Sequence, residues 1–328
     1  MTYSIVARDP DTGLLGVASQ SHFFAVGSIA TFAEPGVGAI ASQAFASRQY
    51  GPLGLELLGT GAGAADVLAA LVRLDPRAAI RQVGVVDATG AAAGFTGDGC
   101  VVHAGHVTGP GFSVQGNMLA SAAVWPAMAE AYQRAGGDLV DRILAAMDAA
   151  EAAGGDARGR QSANLFVVAG ERSATPWHSV LFDVRVDDHP EPLVELRRLV
   201  GLRRSYQRIG NVLFEDGPLF DDPASADPAA LESALADLED VETAIGETQV
   251  EPGLWRNVLL ARSGREAEAA QGLADLVARE AKLAIFLAGL ARAGFVPAAL
   301  PALVEDAGHP RGAALDDRQP GAPVVAGR

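Results

Sequence analysis

The sequence predicts an α+β fold in which two antiparallel sheets lie between helical layers, followed by a region that is helical throughout. Three observations predict it. Apolar and polar residues alternate from the first positions, apolar residues then recur at helical spacing in separate blocks, and strand signals end at Pro192. A length of 328 residues exceeds one ordinary core, and 49% hydrophobic against 20% charged residues is a globular composition.

Tyr3 to Arg8 and Leu14 to Phe24 read as strands joined by the turn Asp9-Pro10-Asp11-Thr12-Gly13, and strand-like runs follow at Ser28 to Phe32 and Gly36 to Ser42. Gly54 to Leu58 and Ala62 to Leu74 have helical spacing, closed by Asp75-Pro76. Gln82 to Asp87 and Ala91 to Thr96 form a hairpin around Ala88-Thr89-Gly90. Gly105 to Gly111 reads as turn-rich, before the strand Phe112 to Asn117. Val124 to Arg134, with Pro126 near its start, and Leu139 to Ala153 read as helices, and Ala163 to Ala169 with Val180 to Val186 as the last strand pair. Beyond Pro192, helices are expected at Leu193 to Gly210, Pro228 to Ile245, Leu254 to Arg262, Arg265 to Arg279 and Leu283 to Ala293. The expected organisation is a layered domain over 1–205, a helical accessory domain over 206–307 and a disordered tail over 308–328, rich in Gly, Pro and Ala.

The net charge of −15 and a single lysine, Lys282, oppose a nucleic-acid partner, because phosphate contacts need clustered cations. Leu14 to Ala33 is uncharged, but Ser19, Gln20, Ser21, His22, Gly27 and Ser28 interrupt it, so strands and no membrane span are expected. No basic and apolar leader heads the sequence, and Cys100 is the only cysteine, expected in the core; both point to a cytoplasmic protein. No cofactor is expected. The glycines from Gly94 to Gly99 and the loop Gly154-Gly155-Asp156-Ala157-Arg158-Gly159-Arg160 fit neither a dinucleotide nor a P-loop pattern. Nor is a metal expected, since His103 and His106 fall on opposite faces of a strand with no third ligand nearby.

The chemistry concentrates at Thr2. Methionine is normally trimmed before so small a residue, so the mature chain is expected to start with a hydroxyl and a free α-amine on one residue. That amine has an ordinary pKa of roughly 7.7–8, close enough to neutrality to accept the hydroxyl proton. Threonine with its own terminal amine is an established nucleophile and base pair. The same two residues also fit a chain with no catalytic terminus.

Several stretches, taken in order, resemble a bacterial family of unknown function that is grouped with the N-terminal-nucleophile hydrolases: Thr2-Tyr3-Ser4-Ile5-Val6-Ala7-Arg8-Asp9-Pro10, Gln20-Ser21-His22-Phe23 with Ala25-Val26-Gly27-Ser28, Tyr50-Gly51-Pro52-Leu53-Gly54, Gln115-Gly116-Asn117-Met118, Gly154-Gly155-Asp156 with Arg158-Gly159-Arg160-Gln161-Ser162-Ala163, and Asp187-Asp188-His189-Pro190-Glu191-Pro192. The likeness runs over about residues 2–205. It implies a four-layer αββα sandwich and amidohydrolase chemistry on a small amide or peptide-like bond, without implying a substrate. The stretch Trp255-Arg256-Asn257-Val258-Leu259-Leu260-Ala261-Arg262 is similar to tails described in some relatives as tetratricopeptide-like or peptidoglycan-binding.

On this reading Thr2 attacks, Asn117 contributes to an oxyanion hole, and Ser19 and Ser21, which share one strand face, orient the amine. His22, Gln43, Arg48 and Arg160 are the candidates for contact with substrate, the last as a clamp on a carboxylate. Proteasome-type sites place a lysine beside the nucleophile, and here Lys282 lies far along the chain. The rival reading is an αββα scaffold that binds a small ligand or partner without catalysis. Proteins of the architecture this resemblance implies often pair through exposed helices, so a homodimer is expected.

Overall fold

A computed structural model describes residues 2–175, 178–214, 218–219, 227–246 and 249–308. It divides into two compact units, Met1–Arg203 and Arg204–Arg328. The expected disordered tail lies, from residue 309 on, outside the described residues, as does Met1.

In the first unit, β1 (Thr2–Arg8) and β2 (Leu15–Ser21) form a hairpin, followed by α1 (Gly27–Ala30), β3 (Thr31–Glu34) and β4 (Gly38–Ala44). Helices α2 (Tyr50–Gly59) and α3 (Ala64–Leu74) lead to β5 (Arg81–Asp87), β6 (Ala92–Thr96), β7 (Gly105–Gly109) and β8 (Phe112–Asn117). Then come α4 (Val124–Arg134), α5 (Leu139–Ala152), β9 (Ser162–Val168), β10 (Val180–Val186) and the start of α6 (Pro192–Leu213), whose residues from Arg204 on belong to the second unit. The strands make two antiparallel sheets, ordered β10-β9-β2-β1-β8-β7 and β3-β4-β5-β6.

The two-residue period of each strand assigns its faces. Tyr3, Ile5 and Ala7 of β1 share a core with Phe112, Leu165, Met128, Tyr132, Ile143 and Met147, so α4 and α5 cover the outer face of the larger sheet. Ile40, Val83 and Val85 pack with Val67, Leu68 and Leu71, so α2 and α3 cover the smaller one. Val6, Leu15 and Val17 meet Ala39, Ala41 and Val86 between the sheets. Each large apolar side chain so buried contributes about 1.5–3 kcal/mol relative to exposure. Helix ends are set locally: the Asp138 carboxylate caps α5 by accepting from the Asp141 N–H at 2.9 Å, and Asp87 at the end of β5 accepts from Ala64 N–H at 3.0 Å.

Two sequence expectations are corrected. Ser28 to Phe32 is not one strand, because the Ser28 N–H and hydroxyl both donate to Ala25 O and wind one helical turn before Thr31. The region from Gly105 is not only turn, since β7 pairs with β8 at the sheet edge. Gly105 is there for packing: a Cβ on it would lie 2.5 Å from the Trp125 ring. Cys100 is half-buried, with Sγ bonded to Arg81 O at 3.3 Å, and burial pushes its thiol pKa up.

The second unit holds α7 (Pro228–Ile245), α8 (Glu251–Arg262), α9 (Glu266–Arg279), α10 (Leu283–Arg292) and α11 (Leu300–Gly308). Leu238, Val258, Leu260, Leu273 and Leu287 are at the centre of its core, and Gly264 turns α8 into α9 with φ 83°. α11 is an addition to the expected elements; Pro301 falls in its first turn, where a missing N–H costs no helical bond.

Candidate active site

Thr2 heads β1, a central strand of its sheet, with β2 on one side and β8 on the other. It lies opposite Asn117, and Ser4 lies opposite both Gln115 and Ser19. Because the pleat keeps Thr2, Ser4, Ser19, Ser21, Gln115 and Asn117 on one face, this end of the layer between the sheets is polar. Thr2 is 7% exposed, and Ser4, Ser19, Ser21, Gln115 and Asn117 are fully buried.

Burying so many polar groups is costly unless each finds a partner. The Thr2 hydroxyl donates to Ser21 Oγ at 3.1 Å. The Thr2 carbonyl accepts from Gln43 Nε2 at 3.1 Å and from Asn117 Nδ2 at 3.4 Å. Both amides also donate to Gln82 Oε1, at 2.8 and 2.9 Å. Gln82 in turn donates from Nε2 to Gly116 O at 2.8 Å, Thr96 Oγ1 at 2.9 Å and Gly105 O at 3.1 Å. Ser4 donates to Gln43 Oε1 and accepts from Gln115 Nε2, each at 2.6 Å. Gln115 has room because residue 84 is glycine: a Cβ there would lie 2.1 Å from Gln115 Oε1.

Thr2, Ser21 and Gln43 form the polar part of a cleft of about 270 Å³. Its walls are apolar, from Phe23, Val26, Ile29, Ala30, Ala44 and Ala46, and Arg48 completes it. Non-glycine residues in the left-handed region gather around it: Ala25 at φ 53°, Ala44 at φ 68° and Met118, next to Asn117, at φ 54°. Such backbone costs about 1–3 kcal/mol per residue and persists where the surroundings impose it.

The expected site residues thus separate. Thr2, Ser21, Gln43 and Arg48 share the cleft, and Asn117 touches Thr2 from the neighbouring strand. The Asn117 Nδ2 is committed to Gln82 Oε1 and to Thr2 O, which is a holding arrangement, while its Oδ1 is buried without a hydrogen-bond partner among the described residues. Gln43 is likewise held inside the network. Ser19 points the same way as Ser21 but donates to Asn164 Oδ1 at 2.6 Å, and Asn164 donates to Thr31 Oγ1 at 2.9 Å. His22 lies outside the cleft, with its exposed ring at Arg160 O and its backbone N–H donating to Asp156 Oδ2 at 2.9 Å. Arg160 lines a different cavity of about 260 Å³, where its charge is taken up by Glu151 and Glu191. Tyr3 donates to Glu151 Oε2 at 2.6 Å, and burial, then the Glu151 charge, raise its pKa well above the usual value.

Gln82, Gln115, Ser4, Asn164 and Asp156 were missed in the sequence. The available signal was a polar residue at every second position of the same strand ends, as in Ser113, Gln115 and Asn117. The Asp156 carboxylate, buried beside Arg158 at 3.2 Å, ties the 155–160 loop to the end of β2. Among the described residues no group of three or more His, Cys, Asp or Glu is placed to hold a metal, and no helix is long and apolar enough to cross a membrane.

A family model described as a family of unknown function, DUF1028, matches residues 2–196. A crystal structure of a Silicibacter pomeroyi protein of the same family model is similar to this chain at 32% identity and TM-score 0.55, covering 64% of this chain and 89% of that one. No curated protein matches the chain. The chain therefore belongs to the DUF1028 family of unknown function.

Proposed function

We propose that this protein is an N-terminal-nucleophile-type amidohydrolase acting on a small amide or peptide-like bond, and that its first unit is a four-layer αββα sandwich of that kind. The observation that carries the reading is the placement of Thr2, buried at the head of a central strand and lining a cleft, with its hydroxyl 3.1 Å from Ser21 Oγ. In this reading removal of Met1 leaves the Thr2 α-amine as the base. The amine takes the hydroxyl proton as Oγ1 adds to the amide carbonyl, then delivers it to the departing nitrogen as the C–N bond breaks. Water cleaves the resulting ester and restores Thr2. Gln43 and Asn117 act as positioning residues that fix the Thr2 carbonyl. Ser21 orients the hydroxyl, and Ser19 steadies β2 through Asn164. Helices of residues 206–307 form an accessory domain in this proposal, the compartment is the cytoplasm and the assembly a homodimer.

Two observations favour a second reading, a non-catalytic scaffold that binds a small ligand. The amide nitrogens nearest Thr2 donate to fixed acceptors, and Lys282 is the chain's only lysine. Incubation with an electrophilic β-lactone, read by intact mass and peptide mapping, separates the two. The hydrolase reading expects Met1 absent and one adduct on Thr2, lost in Thr2→Ala. Retained Met1, or no adduct at Thr2, overturns it in favour of the scaffold.

A further inference from the structure

The Thr2 cleft combines three chemistries. Its base is polar, its walls at Phe23, Val26 and Ile29 are apolar, and Arg48 brings a positive charge. Among the described residues no carboxylate lies within ion-pair distance of Arg48, although the other arginines close to this end of the sheet are compensated: Arg158 by Asp156, and Arg160 by Glu151 and Glu191. In a chain of net charge −15 an uncompensated guanidinium on a cleft wall is a local exception. Guanidinium is matched to carboxylate through two parallel hydrogen bonds. The volume of about 270 Å³ lies just below the roughly 300 to 1,000 Å³ of drug-sized ligand sites, which suits a small molecule and is too small for a folded partner.

We infer that the cleft takes a small anionic amide of the N-acyl amino acid class, with a short apolar acyl group against Phe23, Val26 and Ile29 and the amino acid carboxylate on Arg48. This rests on the proposed role of Thr2. Hydrolysis then consumes one water: Thr2 Oγ1 bonds to the acyl carbon, the C–N bond breaks, the amino acid leaves with the proton, and water releases the carboxylic acid. Arg48 is a specificity residue that binds the leaving half and takes no part in proton transfer. Because Arg48 is exposed, its contribution is screened by salt.

The test uses the full-length protein with N-butanoyl-glycine and its neutral counterpart N-butanoyl-glycinamide. The expected result is a kcat/KM about tenfold higher for the acid, carried by KM, equivalent to one charge-assisted contact. In Arg48→Gln the ratio falls to about one, and Arg48→Lys restores part of it. Thr2→Ala, followed by calorimetry, should still bind the acid, with an affinity about tenfold weaker when combined with Arg48→Gln. Equal turnover of both probes, a preference that survives Arg48→Gln, or turnover of neither while the lactone still labels Thr2 overturns the inference and leaves the hydrolase reading standing. Absence of lactone labelling defeats the hydrolase reading instead. The calorimetry then decides on Arg48 alone, and binding indifferent to Arg48→Gln overturns its role.

Discussion

The space between the two sheets is apolar at one end and polar at the other, although the same strands build both. Near the β1–β2 turn, Val6, Leu15, Val17 and Val86 pack together. At the opposite end of those strands, Ser4, Gln43, Gln82 and Gln115 replace them and connect to the Thr2 carbonyl. The apolar end gains stability by area and tolerates any shape that fills it. The polar end is directional, and removing one amide leaves several buried groups unpaired. The layer is therefore stabilising where it is apolar and positioning where it is polar.

Four variants break or sharpen that contrast. Leu15→Ala in the apolar half should cost about 3 kcal/mol in urea unfolding, by lost burial plus cavity, while the rate of lactone labelling at Thr2 stays unchanged. Gly84→Ala should cost about 2 kcal/mol, because its methyl group would enter the space of Gln115 Oε1, and labelling should slow as the network shifts. Gln82→Met keeps the volume and removes the donor to Gly116 O and the acceptor for Gln43 and Asn117. A loss of about 1–2 kcal/mol is expected, with labelling slowed more than in Leu15→Ala. Equal labelling in Gln82→Met and Leu15→Ala would show that the polar half does not position Thr2.

The smallest effect concerns acid. Burial pushes the Asp87 carboxyl pKa up, but donation from the Thr89 hydroxyl and from the N–H groups of Ala64, Thr89 and Ala91 outweighs it, so the net shift is downward. A carboxyl lowered in the folded state stabilises above its unfolded value of about 3.9, and that contribution is lost as pH falls from there through the folded value. Asp87→Asn should cost about 1 kcal/mol at neutral pH as the α3 start loses its cap, and should flatten the stability profile below about pH 4. An unchanged acid profile would remove Asp87 from this account.

The strands and helices with clean periodicity were legible: β1, β5, β8, α4 and α7 begin within two residues of where the sequence places them. Short or glycine-bounded elements were not. The winding of α1 depends on a left-handed Ala25, and β7 depends on an indole filling the space beside Gly105. Within the site, Thr2, Ser21, Gln43 and Arg48 were legible as residue types, and the cleft unites them. His22 and Arg160, expected from the sequence to contact substrate, lie elsewhere, because the His22 backbone N–H donates to Asp156 and Arg160 pairs with Glu151.

By itself the sequence determined which residues share a strand face, because a period of two leaves no choice, and it determined that a hydroxyl residue heads the first strand. Only the tertiary structure decided that the polar face of those strands is buried. Alternate serines, glutamines and asparagines read locally as a face toward water. Here a second sheet presents Gln43 and Gln82 across the gap, and their bonds to Ser4, Asn117, Gly116 O and the Thr2 carbonyl replace hydration and hold Thr2.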